Sequence, residues 1–392
     1  MIEKLKTNRF INVLALIGVF IFTERSMREM FLLVCSYRMM TIHTIMTIGC
    51  SWLVILLFFY KLISGKLITK NGELWPLVWY LAIFAAYLVS TLVNGGSISR
   101  WADDLIFSFA AIALLLIVDN KKTLFSVASW IFLILAALNI LCEYVSPLRN
   151  YMSQWRKDYF LGFQNAMGWT LLLGMLFALL DYKQNGNKVK LIAYIVIFYA
   201  NQIMCFCATA VVGSMIIALY LIFPFVRKIF EKWKFPVLLL FVIALFFVLV
   251  VFYGKVYELE PIRLIVEKVF GKDATLSGRL YVWQGILPEA LKKPILGHGF
   301  AEKTNYFYET SKWNHGLVHA HNEWLQCMYE GGFVTLAVGM AMIVFCSLKI
   351  KSKECKLILF TLLVMLQADI IAYYPWYLIT FVLEVGFIEK RE

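Results

Sequence analysis

The sequence predicts an all-α polytopic membrane protein with about twelve transmembrane helices and one large extracytoplasmic loop that contains short amphipathic helices. Of the 392 residues, 61% are hydrophobic and 16% are charged. Soluble domains have roughly 45 to 50% apolar and about 25% charged residues. A chain this apolar can hide its surface against lipid but not inside a soluble core. The composition therefore excludes a water-soluble fold.

Apolar runs of spanning length occur along most of the chain, and their number is about eleven or twelve. The first run follows Lys4, Lys6 and Arg9 and leads into TERSMREM without a small-residue cleavage site, so it indicates a retained span and no signal peptide. The runs are residues 10–23, 41–60, 74–93, 104–118, 123–142, 165–180, 190–206, 208–226, 235–253, 323–348, 357–372 and 376–388.

The basic residues indicate the orientation of these spans. With a cytoplasmic N-terminus, the short inner loops and the tails carry 21 Lys and Arg residues, whereas the short outer loops carry 7. Cytoplasmic loops of membrane proteins are enriched in Lys and Arg. We therefore expect both termini in the cytoplasm. The formal charge of +12 is then a consequence of topology, and it gives no support to nucleic-acid binding.

Three regions follow from this topology. Residues 1–253 form an N-terminal bundle of about nine helices, residues 254–322 form the large extracytoplasmic loop, and residues 323–392 form the C-terminal helices. Long ordered loops are commonly functional. In this loop, apolar residues at helical spacing predict an amphipathic helix that ends before a run of Pro and Gly. The spaced residues are Leu280, Trp283, Leu287 and Leu291, and the breakers are Pro294, Gly297 and Gly299.

Histidines cluster at the end of the loop. His321 is our candidate general base, because histidine, whose unperturbed pKa is about 6.5, is the side chain best suited to take a proton from a hydroxyl at neutral pH. For each of the other three taken singly, the favoured interpretation is a polar group at the bilayer interface. A zinc site is weakly indicated, since HAH lacks matching ligands and the cysteines form no CxxC pair, so we expect no metal and no cofactor. The four clustered histidines are His298, His315, His319 and His321.

A polar face enters the membrane directly after His321. Asn322, Gln326 and Glu330 are four residues apart and share one side of a helix, with Glu323 beside them. Charged groups within spans usually face a bundle interior or a wet cavity, so this face is expected to line a substrate pocket. Alternatively, Glu330 is a structural carboxyl near the Gly pair that follows it, and the two interpretations stay open.

Arginines of the outer loops are candidates for binding a phosphate-bearing ligand. Arg279 precedes the amphipathic helix and shares the loop with His321, and a guanidinium is well suited to phosphate. Arg156 and Arg100 lie in other outer loops and could reach the same pocket. The alternative for each is a solvated loop charge or a contact to lipid headgroups.

These motifs resemble the O-antigen ligase and Wzy-like polysaccharide polymerase superfamily. The resemblance rests on GR followed by W and PILGHG, then on HNEWLQ followed by YEGG, within residues 277–335, with a looser likeness from Arg156 to Asn165. It implies a metal-independent membrane glycosyltransferase in which Arg279 binds a lipid diphosphate and His321 activates the acceptor hydroxyl. The family's Ser-Arg pair on a middle span is absent from CFCATAVVGSMI, so Arg156 is the expected replacement.

The resemblance further implies polymerisation of polyprenyl-diphosphate-linked repeat units into capsule, exopolysaccharide or O-antigen, on the outer face of a bacterial cytoplasmic membrane. A flippase and a chain-length regulator are the partners expected beside membrane lipid. Arg156, Arg100, Asn165, Asn322, Gln326 and Glu330 are the expected substrate contacts. A ligase that moves a finished glycan onto lipid A core or protein is the close alternative. A transporter of lipid-linked sugars is the alternative from another class.

Overall fold

The computed structural model is almost entirely helical. It describes residues 13–14, 16–18, 37–67, 74–144, 151–152, 157–232, 237, 241, 244, 260–264, 267–268, 278–300, 319–368 and 375–389. The helices in these ranges are α1 (Tyr37–Ile63), α2 (Trp75–Val93), α3 (Ile98–Ile117), α4 (Lys121–Tyr144), α5 (Gln164–Asn185), α6 (Lys188–Cys205), α7 (Ala208–Ile222), α8 (Pro224–Glu231), α9 (Glu260–Leu264), α10 (Arg279–Lys292), α11 (Glu323–Ser347), α12 (Lys353–Met365) and α13 (Pro375–Glu389).

Several helices are long and apolar enough to cross a bilayer. Within the described ranges these are α1, α2, α4, α6 and α11, and the α7–α8 pair, bent by 102°, is a sixth if it forms one span. A multi-pass membrane protein is therefore confirmed. The count of twelve stays a prediction, because the predicted spans at 10–23 and 235–253 lie largely outside the described residues.

The chain divides into two compact units. The first contains Met1–Leu74, Ile106–Ile216 and Glu384–Glu392, and the second contains Trp75–Leu105 and Ile217–Leu383. The three regions predicted from the sequence, 1–253, 254–322 and 323–392, follow the order of spans and loops rather than packing. They stay a prediction about topology.

In the first unit, α4, α5 and α6 pack against one another. A Cβ added at Gly174 would lie 1.9 Å from Tyr194 Oη, and that hydroxyl donates to the Leu171 carbonyl oxygen at 3.0 Å. The missing side chain thus lets α5 and α6 approach closely. Lys190 Nζ lies 2.6 Å from Asp181 Oδ2 in a buried ion pair, whose attraction offsets part of the cost of removing both charges from water.

A small antiparallel sheet precedes α5. Its strands are β1 (Tyr151–Met152), β2 (Lys157–Tyr159) and β3 (Gly162–Phe163), in that spatial order. Tyr151 pairs with Asp158, and Asp158 pairs with Phe163. These short strands are a minor addition to the predicted all-α fold.

In the second unit, α11 packs against α2 and α10 and is kinked at Gly332, whose φ is 67° and ψ is −171°. The kink breaks the helical hydrogen-bond ladder, and the segment after α10 replaces the missing partners. His298 N and Gly299 N donate to the carbonyl oxygens of Tyr329 and Glu330 at 2.7 and 2.8 Å. The second glycine of YEGG is therefore required by packing, since a Cβ at Gly332 would lie 2.2 Å from the Ile295 carbonyl oxygen.

The amphipathic helix predicted in the loop is present as α10. Leu280, Trp283 and Leu287 are buried, and they pack with Leu325 of α11 in one apolar cluster. Leu291 is 47% exposed, so the apolar face ends before the last turn. The helix stops at Lys292, ahead of the predicted breakers.

Candidate active site

Arg279 is the first residue of α10. Gly278, with a φ of 80°, turns the chain into the helix, a backbone conformation that glycine adopts without strain. The Arg279 guanidinium Nη1 donates a hydrogen bond to the Ala368 carbonyl oxygen. Arg279 is only partly exposed, so the predicted phosphate-binding residue is held within the second unit instead of standing in solvent.

The backbone carbonyl groups of the turn that follows α12 accept hydrogen bonds from three residues, Arg279, Asn322 and Glu323. Besides Arg279, Asn322 Nδ2 donates to the Gln367 carbonyl oxygen at 2.5 Å, and Glu323 N donates to the Leu366 carbonyl oxygen at 3.1 Å. We call residues 366–368 the carbonyl turn. Because both Arg279 and the residues after His321 bind this turn, the structure brings the two predicted catalytic positions to one place.

His321 has a left-handed backbone conformation with a φ of 50°. This conformation is unusual for a residue with a Cβ, and such outliers cost about 1 to 3 kcal/mol when the surroundings hold them. The next residue, Asn322, is the N-cap of α11, and its Oδ1 accepts from Leu325 N at 2.8 Å. The cap fixes where the helix begins and therefore where His321 projects.

His319 and His321 lie against each other. Their ring centroids are 4.1 Å apart with an interplanar angle of 66°, and His321 N donates to His319 Nδ1 at 3.3 Å. Burial, together with the nearby His321 ring and the Arg279 guanidinium, holds the pKa of His319 well below its ordinary value. A neutral His319 with a free Nδ1 lone pair is the form that can accept this bond.

The predicted polar face of α11 is buried and bound within the protein. Gln326 Oε1 accepts from Ala320 N at 2.8 Å, and Asn322 is the cap already described. Arg100 Nη2 lies 3.3 Å from Glu330 Oε1, and its guanidinium carbon lies 5.1 Å from the centre of the Phe300 ring. Two of the predicted substrate contacts, Arg100 and Glu330, thus neutralise one another.

The remaining predicted residues either make other contacts or lie outside the described residues. His298 stacks on Tyr329 with centroids 4.4 Å apart, and its Nε2 is 3.0 Å from the Glu289 carbonyl oxygen, which are structural contacts. Asn165 belongs to the first unit, where its Oδ1 accepts from Cys207 Sγ at 3.1 Å. Arg156 and His315 lie outside the described residues.

Sequence reasoning did not assign roles to three features of this site. Trp283, noted only as an apolar motif residue, donates from Nε1 to the Ala320 carbonyl oxygen at 2.9 Å. Glu323 is 1% exposed, and neither carboxylate oxygen has a hydrogen-bond partner among the described residues. The carbonyl turn acts through its backbone, so its residue types give no signal. Only the spacing of Arg279 and Trp283, one helical turn apart, could have indicated a shared role.

Taken together, the spanning helices and this buried cluster define a multi-pass membrane protein in which Arg279 and the two residues after His321 bind one turn. Residues 193–340 match the family model described as O-antigen ligase. This match and the relatives below support the resemblance to the O-antigen ligase and Wzy-like polysaccharide polymerase superfamily that the motifs indicated. The matched segment contains both Arg279 and His321.

Individual relatives match over shorter stretches. A protein of Rickettsia typhi described as a candidate polysaccharide ligase is 28% identical over 168 residues, which cover 41% of this chain and 40% of the relative. A Rickettsia felis protein with the same description is 31% identical over 94 residues, which cover 22% of this chain and 23% of the relative. The exopolysaccharide production protein ExoQ of Rhizobium meliloti is 32% identical over 75 residues, covering 17% of each chain. The chain thus matches less than half the length of each of these relatives.

Proposed function

We propose that this protein transfers glycans from a polyprenyl-diphosphate-linked saccharide on the outer face of a bacterial cytoplasmic membrane, and that it polymerises repeat units into capsule, exopolysaccharide or O-antigen. The observation that carries the proposal is that Arg279 and the residues after His321 both bind the carbonyl turn. Arg279 and His321 themselves lie within residues 193–340, which match the family model. One group can then act on the leaving diphosphate and the other on the attacking hydroxyl.

In the proposed reaction, a hydroxyl of the acceptor saccharide attacks the anomeric carbon of the donor, and His321 takes its proton. The bond between the anomeric carbon and the diphosphate oxygen breaks, and the polyprenyl diphosphate leaves with both electrons. Arg279 gives up its bond to the Ala368 carbonyl oxygen and donates to the departing diphosphate. Neither a metal nor a cofactor has a part in this proposal.

The other candidates are proposed to contact the substrate less directly. Asn322, Gln326 and Glu330 lie on the helix that His321 precedes, and Arg100 reaches the same helix through Glu330. Arg156 and Asn165 are proposed contacts from the loop and helix of the earlier outer segment. A flippase that supplies the lipid-linked donor and a regulator of chain length are the proposed partners.

A ligase is the second candidate, because the family model and the Rickettsia relatives carry that description. The two functions share the donor and differ in the acceptor.

The test is turnover of a purified lipid-linked repeat unit by the purified protein in detergent, with and without chelator. Polymer formed from the donor alone supports the polymerase. Release of polyprenyl diphosphate only after lipid A core or protein is added supports the ligase. No turnover with either acceptor rejects glycosyl transfer and favours the transporter, and loss of turnover in chelator rejects metal independence.

A further inference from the structure

The peptide bond that joins Ala320 to His321 is held from both sides. Its carbonyl oxygen accepts from Trp283 Nε1 at 2.9 Å, and its N–H, which belongs to His321, donates to His319 Nδ1 at 3.3 Å. The preceding N–H, of Ala320, donates to Gln326 Oε1 at 2.8 Å. Backbone hydrogen bonds in this segment therefore go to side chains, and this arrangement over-determines the left-handed conformation of His321.

Trp283 is the member of this arrangement that also connects it to Arg279. The two residues are one turn apart on α10, and side chains at this spacing lie on the same face of a helix. Arg279 binds the Ala368 carbonyl oxygen, while Trp283 binds the Ala320 carbonyl oxygen. A single rigid helix thus reaches both the carbonyl turn and the backbone of the proposed base.

The Trp283 ring is 1% exposed and packs in the cluster between α10 and α11. A buried indole needs a partner for its N–H, and here the partner is the peptide that carries His321. Packing fixes the ring, and the hydrogen bond fixes the peptide plane relative to the ring. Packing against Leu325 of α11 alone would bring the helices together without setting that plane.

We propose that Trp283 is a positioning residue that sets the placement of His321 relative to Arg279 through its hydrogen bond to the Ala320 carbonyl oxygen, a role that rests on the proposed glycosyl transfer. Trp283 touches no substrate in this arrangement. It acts on the reaction by holding the base where it meets the hydroxyl that it deprotonates. Reacting groups displaced by about 1 Å can lose about 10²-fold in rate.

The test is Trp283→Phe, which keeps an aromatic ring in the cluster and removes the N–H donor. We expect kcat to fall roughly 10- to 100-fold while the KM for the lipid-linked donor changes little, because the diphosphate contact is retained. Trp101→Phe is the matched control, since Trp101 Nε1 also donates to a backbone carbonyl oxygen, that of Phe84, at 2.8 Å. It loses the same kind of bond, here between α3 and α2 and without the peptide of His321, and should keep a normal kcat.

Hydrogen–deuterium exchange of the segment around His321 provides a second readout that does not need turnover. Trp283→Phe should speed amide exchange at residues 319–322, and Trp101→Phe should not. A kcat equal to that of Trp101→Phe, or unchanged exchange in this segment, overturns the positioning role. If the wild-type protein has no turnover, the proposed function fails, whereas the exchange result still decides whether Trp283 holds the peptide.

A second variant covers the case in which Trp283→Phe does not accumulate in the membrane. Gln326→Met removes the acceptor of the Ala320 N–H and leaves the indole in place. It should raise exchange in the same segment and lower kcat. Normal exchange and a normal kcat in Gln326→Met would show that His321 does not depend on these backbone contacts, and the inference would then be wrong.

Discussion

Arg100 and Glu330 form a buried ion pair, with 3.3 Å between Arg100 Nη2 and Glu330 Oε1 and with 10% and 6% of their side chains exposed. The Glu330 carbonyl oxygen also accepts from Ser90 Oγ at 2.7 Å and from Gly299 N. This residue therefore connects α2, α3, α11 and the segment after α10. Both interpretations of Glu330 from the sequence, substrate contact and structural carboxyl, can be separated by experiment.

Removing one partner of this pair should destabilise the protein. Glu330→Gln leaves the Arg100 charge buried without its carboxylate, and breaking a buried pair costs about 3 to 5 kcal/mol. We expect a clear fall in the thermal unfolding midpoint in detergent, and a smaller fall in the double variant Arg100→Met, Glu330→Gln. If Glu330→Gln instead raises the KM for the donor at an unchanged midpoint, the carboxylate serves the substrate and not the fold.

His321→Ala should abolish visible polymer while leaving expression and membrane insertion intact. Loss of a general base typically lowers the rate by about 10² to 10⁴. The measurement is turnover of purified lipid-linked repeat units at equal protein level. His298→Ala is the comparison, because the contacts of His298 are with the Tyr329 ring and the Glu289 carbonyl oxygen. Near-normal turnover by His321→Ala would remove the general base from the mechanism.

Arg279→Lys should be poorly tolerated although it preserves the charge. Lysine lacks the planar fork that binds a carbonyl oxygen or a diphosphate through several N–H groups. We expect turnover to fall and the KM for the donor to rise, as measured with the same purified substrate. Lys292→Arg, at the exposed last turn of α10, is a control for altered basic residues in this helix. A native rate in Arg279→Lys would reduce Arg279 to an electrostatic or structural role.

Protonation of His319 should lower the stability of the folded protein at acidic pH. Its pKa is held well below the ordinary value of about 6.5, so the folded protein binds fewer protons at this ring than the unfolded chain. The neutral ring stabilises the fold above about pH 6.5, and this contribution is lost as the pH falls through that value toward the folded pKa. His319→Asn keeps a side-chain acceptor for the His321 N–H and cannot titrate. At pH values below 6.5, the thermal unfolding midpoint of the wild type should therefore fall more steeply with decreasing pH than that of His319→Asn. Parallel dependences of the two midpoints on pH would contradict the lowered pKa of His319.

Topology provides the last prediction, because the tails and the predicted short inner loops carry 21 basic residues against 7 in the predicted short outer loops. A cysteine introduced at Lys292 should react with an impermeant thiol reagent in intact cells, whereas one introduced at Lys351 should react only after permeabilisation. The parent protein, with its own eight cysteines, provides the baseline. The reverse pattern would place the proposed site in the cytoplasm, away from the proposed donor.

The sequence by itself determined the features that follow from periodicity and composition. Apolar runs of spanning length predicted a multi-pass helical protein, because a bilayer requires such runs whatever surrounds them. The spacing of Leu280, Trp283 and Leu287 predicted α10, since the periodicity of an amphipathic helix can be recognised from the order of residues alone. The motifs from GR to YEGG indicated a resemblance to the superfamily, and the match of residues 193–340 to the family model supports it.

Tertiary structure decided which of the candidate residues meet. Arg100 and Glu330 are 230 positions apart, and Arg279 and Ala368 are 89 apart, so no local pattern could show that they bond. The carbonyl turn contributes backbone oxygens, which every residue type possesses. The Trp283 bond to Ala320 depends on how α10 packs on α11, and the left-handed backbone of His321 depends on the side chains that surround its peptide. Residue types set which chemistry is available, whereas the placement of the base and the guanidinium comes from contacts between distant segments.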